Sequence, residues 1–360
     1  MRDIWYLVLP LIISALITPV VKQIGYRLDA FAQMNERTVH HGKIVRIGGV
    51  AIYLAFIITM ALYVKTDMAM NGILIGSTIM FIGGLVDDLV NLKPLYKFSF
   101  QVVAAIVLIA SGVTLDVIRL PLGITINMGV VSFIVTFFWI TGITNAVNLI
   151  DGLDGLCGGI SVIILTVIAM LAVIEGRGDV EMIALILVGA TLGFLIYNAH
   201  PASIFMGDCG ALFLGFIISA ISLLGFKSST IMTLALPLLL LALPIIDTLS
   251  AILRRTLKGH KFSEADKSHI HHLLMNKFGH KNTVIIMCIV TALFGLTAYV
   301  YMINKGIGLI SLFVIMLAVD LFIEGSGMIS DKYHPILSVS RRIIRRLTRK
   351  KTITDSDRTD

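Results

Sequence analysis

Residues 158–174 read GGISVIILTVIAMLAVI, a run without one charged side chain. A helix this apolar all round has no face to offer water, and its length matches the ~20 residues needed to cross a bilayer core. Working outward, similar runs lie at 5–22, 47–64, 71–87, 98–113, 129–147, 182–199, 211–226, 230–252, 283–303 and 306–323. The chain therefore reads as an all-α polytopic membrane protein with about 11 transmembrane helices. Composition agrees: 57% of the 360 residues are hydrophobic and 14% charged, and the mean hydropathy is +0.94, which excludes an ordinary soluble domain. Pro10, Pro19, Pro237 and Pro244 interrupt several runs, as lipid-embedded helices tolerate when neighbours satisfy the freed carbonyls.

Neither an internal repeat nor a second domain is visible. Residues 1–325 read as one integral-membrane domain and 326–360 as a basic tail. In that tail Arg341, Arg342, Arg345, Arg346, Arg349, Lys350 and Lys351 alternate with Ile343, Ile344 and Leu347 at helical spacing, which suits anionic membrane lipid rather than nucleic acid. From Thr352 onward disorder is expected. Of the 29 Lys and Arg, 23 fall on one face if loop 22–46 is cytoplasmic. That asymmetry puts the N-terminus outside and the C-terminus inside. All nine histidines share the inner face, which no insertion rule requires. The first span lacks a small-residue cleavage signal and reads as an uncleaved anchor. Cys157, Cys209 and Cys288 show no paired spacing and read as free thiols. Alternation around Pro121 and Gly123 in residues 114–127 predicts a small extracytoplasmic β-hairpin.

The inner face collects the chemistry. Residues 83–91 read GGLVDDLVN, followed by Lys93 and Lys97. Adjacent carboxylates at the end of a span repel each other. Either the lysines or a divalent ion must compensate, and oxygen ligands of this kind suit Mg²⁺. The plainer alternative is that Asp87 and Asp88 mark a helix end and face water. Residues 145–156 read NAVNLIDGLDGL. Asn148 and Asp151 are neighbours on one helical face, and the glycines allow the backbone to break and approach a ligand. Four polar residues at the end of a span are costly unless they bind something, which favours a site over a turn. An EF-hand is excluded by the Asp spacing and the missing terminal Glu.

Residues 205–210 read FMGDCG, directly before a span. Asp208 reads foremost as an N-cap, although a glycine-flanked helix N-terminus also gathers N–H groups toward a phosphate. The ninth span carries Asp247 two turns before Arg254, a spacing that permits an ion pair, and the longest inner loop holds His269, His271 and His272. Zinc would favour His and Cys together, and no Cys lies nearby in sequence. His and Arg beside metal-holding carboxylates read better as a diphosphate clamp. Together these parts fit phosphoryl transfer onto a membrane-bound acceptor. A lipid phosphate with a second pKa near ~6 is already largely dianionic, so metal and positioning outweigh a strong base.

In this order, the DD, NxxNxxDGLDGL, FMGD, PxxD…RR and HIHH elements resemble the polyprenyl-phosphate N-acetylhexosamine-1-phosphate transferases, over the chain up to about residue 325. Any one element is weak, but five in order are specific. HIHH, with Arg37-Thr-Val-His40 and Arg46-Ile-Gly48-Gly49, is similar to the WecA/TagO-like branch rather than the branch using a muramoyl-pentapeptide. The resemblance implies transfer of GlcNAc-1-phosphate from UDP-GlcNAc to undecaprenyl phosphate, with release of UMP and a need for Mg²⁺ (or Mn²⁺). It also implies a bacterial cytoplasmic membrane location, a site on the cytoplasmic face and a homodimer.

By the same resemblance Asp208 is the metal-binding residue, and Asp87 and Asp88 are the catalytic pair. Asp151 and Phe205 recognise the nucleotide, with Asn148 and Asp154 beside them. Arg254, His269, His271 and His272 hold the donor, and Lys97, Arg37, His40 and Arg46 fall at further substrate positions. Two departures stand out. Asn91 replaces an acid or Lys, removing a charge near the metal, and Val45 replaces a Pro, which bears on the shape of the first loop. A UbiA-like prenyltransferase also uses Asp-rich motifs with Mg²⁺, but the His-rich loop and the span count argue against it. An ion-coupled transporter would use Asp247 and Asp320 as coupling acids, yet its acids should spread across the membrane depth rather than gather at one face.

Overall fold

The structure, a computed structural model, describes residues 2–32, 43–65, 67–119, 125–225 and 270–325. The helices are α1 (Arg2–Arg27), α2 (Gly49–Tyr63), α3 (Met68–Val90), α4 (Pro94–Ala110), α5 (Val131–Ile150), α6 (Leu156–Ile174), α7 (Gly178–Asn198), α8 (Gly207–Gly225), α9 (Ile270–Phe278), α10 (His280–Ile303) and α11 (Lys305–Gly325). Among the described residues, seven of these are long and apolar enough to cross a membrane, and α2, α4 and most of α11 form shorter apolar helices. The expected span at 230–252 and the tail 326–360 lie outside the described residues.

The bundle is built around α8. Every residue from Cys209 to Leu223 is buried, as expected of a helix apolar on all sides. It is packed by α3, α5 and α2, while α1 lies along α7, and α6 bridges α7 to α10. Leu16, Leu62, Ile106, Phe138, Ile196 and Phe313 point outward from the bundle, which places apolar side chains where lipid would solvate them. Several buried hydroxyls inside the helices return to their own backbone: Thr18 to the Ser14 carbonyl (2.7 Å), Thr59 to Ala55 (2.8 Å) and Thr144 to Ile140 (2.6 Å). With no water at that depth, such bonds are the cheapest way to keep a polar atom satisfied.

Two cross-helix contacts fix α8 lengthwise. Trp139 Nε1 donates to the Ser219 carbonyl (3.3 Å). Arg177 donates to the Leu224 carbonyl (2.6 Å) while gripping both Asp179 oxygens (3.0 and 2.8 Å), placing a cation at the negative end of the helix. At the same end of the bundle, β1 (Val117–Arg119) pairs antiparallel with β2 (Thr125–Asn127).

The helix ends depart from the sequence reading where function gathers. α3 continues through Asp87 and Asp88 to Val90 and stops at Asn91, which adopts a left-handed conformation (φ 51°). Asn is one of the few side chains at ease there, so its presence has a backbone reason. Pro94 then opens α4, where its missing N–H costs nothing, and this places Lys97 in the first turn. α9 carries Ile270, Leu273, Leu274 and Phe278 at helical spacing, but its nine residues are too few to cross a membrane and so leave no span signal.

Candidate active site

The C-terminal ends of α3 and α5, the N-terminal ends of α4 and α8, and the segment before α2 meet at one end of the bundle. Asp87 and Asp88 are consecutive on α3, so their side chains leave the helix about 100° apart and enter different surroundings. Asp87 turns toward α4. Its Oδ1 accepts from Leu92 N (2.8 Å) and its Oδ2 from Lys97 Nζ (3.3 Å). Lys97 Nζ also pairs with Asp208 Oδ2, while Asn148, at the end of α5, donates to Asp208 Oδ1 (2.9 Å).

Asp88 turns toward α8 and Arg46. Its Oδ1 accepts from Arg46 Nε (3.1 Å) and Asp208 N (2.9 Å), and its Oδ2 accepts from Cys209 N (2.9 Å). Arg46 also donates to Asn91 Oδ1 (3.1 Å) and the Asp87 carbonyl (3.2 Å). The compensating cations for the adjacent carboxylates are therefore Lys97 for one and Arg46 for the other. Arg46, expected at a substrate position, spends its guanidinium on the end of α3. Nor does the α8 N-terminus serve an external phosphate with its first N–H groups, since Asp88 takes those of Asp208 and Cys209.

Asp151 lies in the α5–α6 turn and accepts from Gly207 N; burial, and then the carboxylates of Asp208, Asp88 and Asp154, push its pKa up to about 8. Burial acts first, and surplus negative charge adds to it. Among the described residues, Asp87, Asp88, Asp151 and Asp208 face Arg46 and Lys97 as their cations, which leaves two negative charges uncompensated there when all four acids ionise. A divalent cation would supply that balance, and the all-oxygen donor set suits a hard ion such as Mg²⁺. The residues present fit that group.

A second cluster sits beside the first. Asp154 is buried, and its Oδ2 accepts from Ala202 N (3.1 Å) and His200 Nδ1 (2.8 Å), with His280 Nε2 3.9 Å away. Asp154, His200 and His280 have potential ligand atoms close enough for a metal, but the two imidazoles stack at 4.2 Å with planes only 22° apart. An ion must lie in the plane of each imidazole that ligates it, and near-parallel stacked rings cannot both satisfy this. The trio is better described as a junction tying the α5–α6 turn to the α7–α8 connection and the start of α10. Asn198 braces the same turn, accepting from Gly155 N (3.1 Å) and donating to the Ile204 carbonyl (2.9 Å). Phe205 joins the segment before α2 through backbone bonds to Val45 (2.8 Å) and Gly48 (2.9 Å), so the FMGD element and the Arg46 segment form one wall.

Asp87, Asp88, Lys97, Asn148, Asp151, Asp208 and Arg46 are thus brought together, with Asp154 and Phe205 alongside. Arg37, His40, Arg254, His269 and the side chains of His271 and His272 lie outside the described residues. Sequence reasoning passed over His280, an isolated residue at a helix start. It also passed over Gln101, which exchanges two amide hydrogen bonds with Asn145 (2.9 and 2.7 Å) one turn from Lys97 and Asn148. A lone amide in an apolar span was the available signal, since it demands a partner. Gln101→Leu removes the donor to Asn145 Oδ1, while the Asn145 Nδ2 keeps the Thr141 carbonyl (2.8 Å); it should destabilise the protein by about 1–2 kcal/mol, whereas Gln101→Leu/Asn145→Leu should recover part of that loss. Thermal unfolding in detergent reads both, and a single variant as stable as wild type contradicts the pairing.

The profile of glycosyl transferase family 4 matches residues 70–226. Over 345 residues the chain is 37% identical to the probable undecaprenyl-phosphate N-acetylglucosaminyl 1-phosphate transferase of Bacillus subtilis, covering 94% of this chain and 96% of that protein. The chain belongs to glycosyl transferase family 4. Two further relatives are similar to this chain. The decaprenyl-phosphate N-acetylglucosaminephosphotransferase of Mycobacterium tuberculosis is 32% identical across 77% of this chain and 76% of its own length. The phospho-N-acetylmuramoyl-pentapeptide-transferase of Streptococcus uberis is 30% identical across 63% and 74%. Asp87, Asp88, Lys97, Asn148, Asp151, Asp154, Phe205 and Asp208 fall within the family match, and Arg46 and the His-rich loop fall outside it.

Proposed function

We propose that the protein transfers GlcNAc-1-phosphate from UDP-GlcNAc to undecaprenyl phosphate. An oxygen of the lipid phosphate forms a bond to the β-phosphorus of the donor, the anhydride bond to the α-phosphate breaks, and UMP leaves. Undecaprenyl-diphospho-GlcNAc remains in the membrane, as the first membrane-bound product of a cell-envelope glycopolymer. The observation that carries this reading is the Asp87–Lys97–Asp208–Asn148 chain at one end of an apolar bundle, in a protein matching nearly the full length of a relative named for this transfer.

Within that reading Asp208 and Asp87 are the carboxylates open to ligand, with side chains 24% and 11% exposed. Asp208 would hold Mg²⁺, with Asn148 fixing its orientation, and Mg²⁺ supplies charge neutralisation on the diphosphate. Lys97 holds Asp87 and Asp208 in register. Asp87 orients the incoming lipid phosphate, which needs little deprotonation near neutral pH because its second pKa is near ~6. Phe205 and Asp151 line the nucleotide side, with Asp154 buried behind them (side chain 1% exposed), and Arg37, His40, Arg254, His269, His271 and His272 clamp the donor. The site faces the cytoplasm, as the distribution of Lys and Arg supports. Residues 1–325 form the transferase, which works as a homodimer in the bacterial cytoplasmic membrane, while the basic tail rests on anionic lipid.

The test is UMP release by purified protein with Mg²⁺ and undecaprenyl phosphate, using UDP-GlcNAc, UDP-GalNAc or UDP-muramoyl-pentapeptide in parallel. Release with UDP-GlcNAc alone, abolished by chelation, is expected. No UMP from any donor returns weight to the prenyltransferase or transporter readings.

A further inference from the structure

Asp87 and Asp88 are usually read as a pair, yet they differ in what they can reach. The Asp88 side chain is 1% exposed and receives three donors: Arg46 Nε, Asp208 N and Cys209 N. A carboxylate offers roughly four acceptor positions, so little capacity remains for a substrate.

The bonds to Asp208 N and Cys209 N are those an N-cap residue would make to the first turn of a helix. α8 has no such residue of its own, because Met206 is apolar and buried and Gly207 has no side chain. The surroundings are shaped for a cap delivered from α3. Gly84 lies one turn before Asp88 on α3, and a Cβ there would strike the backbone of Asp208 and Cys209. Gly207 has φ +73°, and a Cβ on it would strike the Arg46 carbonyl and Asp88 Oδ2. Both glycines permit the approach that brings Asp88 to the helix end. The positive end of α8 and Arg46 stabilise the enclosed carboxylate.

We propose that Asp88 is a positioning residue that does not touch substrate: it caps α8 from α3 and so sets the direction of Asp208, leaving Asp87 as the member of the pair open to the reaction. The proposal rests on the transferase reading for its turnover measurement, but not for its binding measurement.

Calorimetric titration of Mn²⁺ into the purified full-length protein, and UMP release over a range of Mg²⁺, are compared for wild type, Asp88→Asn and Arg46→Gln. Groups that orient a metal ligand typically change metal affinity 10- to 100-fold. Asp88→Asn should therefore weaken Mn²⁺ binding about tenfold, with a matching rise in the Mg²⁺ needed for half-maximal turnover. Excess Mg²⁺ should restore much of kcat, and KM for UDP-GlcNAc should stay within about twofold of wild type. Arg46→Gln, which leaves the two N–H bonds to Asp88 in place, should move both quantities the same way by less; it carries the test if Asp88→Asn does not fold. Unchanged Mn²⁺ affinity in both variants overturns the proposal, whether turnover is kept or lost. So does weakened binding with turnover that excess Mg²⁺ cannot restore, since Asp88 would then act on the substrate. Wild-type protein that binds Mn²⁺ but releases no UMP would count against the transferase reading alone, with the calorimetry still deciding Asp88.

Discussion

Asp208→Asn should lower UMP release on the order of 10³-fold while leaving the protein folded. Both side-chain oxygens of Asp208 accept: Oδ1 from the Asn148 amide at 2.9 Å and Oδ2 from Lys97 Nζ. An asparagine has only one acceptor oxygen, so its NH₂ group must face either the Asn148 amide or the Lys97 ammonium, donor against donor. The substitution also removes one of the four carboxylates whose surplus charge suits a divalent ion. Folding should survive, because the backbone N–H of Asp208, not its side chain, makes the bond to Asp88, and the side chain is partly exposed. UMP release and thermal unfolding of the detergent-purified variant read the two effects separately. A folded Asp208→Asn protein with wild-type turnover would remove Asp208 from the reaction.

Lys97→Met should cost both stability and activity. Lys97 Nζ lies between Asp87 Oδ2, at 3.3 Å, and Asp208 Oδ2, and it is the side-chain cation these two acids share. The three side chains are 11–24% exposed, between the surface case, where an ion pair contributes little, and the buried case, where an abandoned charge is severe. A cost of about 2 kcal/mol is therefore expected. Because a divalent ion could take over part of the compensation, Mg²⁺ should raise the unfolding temperature of Lys97→Met more than that of wild type. Turnover should fall roughly 10²-fold through misplaced carboxylates. Lys97→Arg should recover little, since a planar fork does not replace a compact ammonium between two oxygens. Wild-type stability and turnover in Lys97→Met would mean that the bridge carries no function.

How far the chain could be read in advance depended on whether the property is local. Hydropathy is local, so most apolar runs reappear as helices. α9 was missed because nine residues give no span-length signal. α3 runs three residues past the 71–87 run, to Val90. Polar residues read as the close of a span, yet Asp87 and Asp88 remain helical because Lys97, Arg46 and the α8 backbone satisfy them. Motif order identified Asp87, Asn148, Asp151 and Asp208 as members of one site, although they are far apart in sequence.

Which atoms meet was not legible. The Gln101–Asn145 pair, the stacked His200 and His280 rings, and the hold of Asp88 on α8 depend on helix rotation and close approach. Gly84 makes the point: in sequence it is one of two adjacent glycines, and only packing shows that its missing side chain admits the backbone of Asp208. The α8 N-terminus is the opposite case. Its sequence suits an anion, and the anion it receives comes from the protein itself.

Transfer of a phospho-sugar is tested most directly by following the donor's β-phosphorus. UDP-GlcNAc labelled there with ³²P would be incubated with the purified protein, Mg²⁺ and undecaprenyl phosphate, and the lipid and nucleotide fractions separated. Attack at that phosphorus moves the label into the lipid and leaves unlabelled UMP in the water phase. Label retained in a released UDP, with sugar in the lipid fraction, would show glycosyl transfer instead and contradict the reaction proposed for this site.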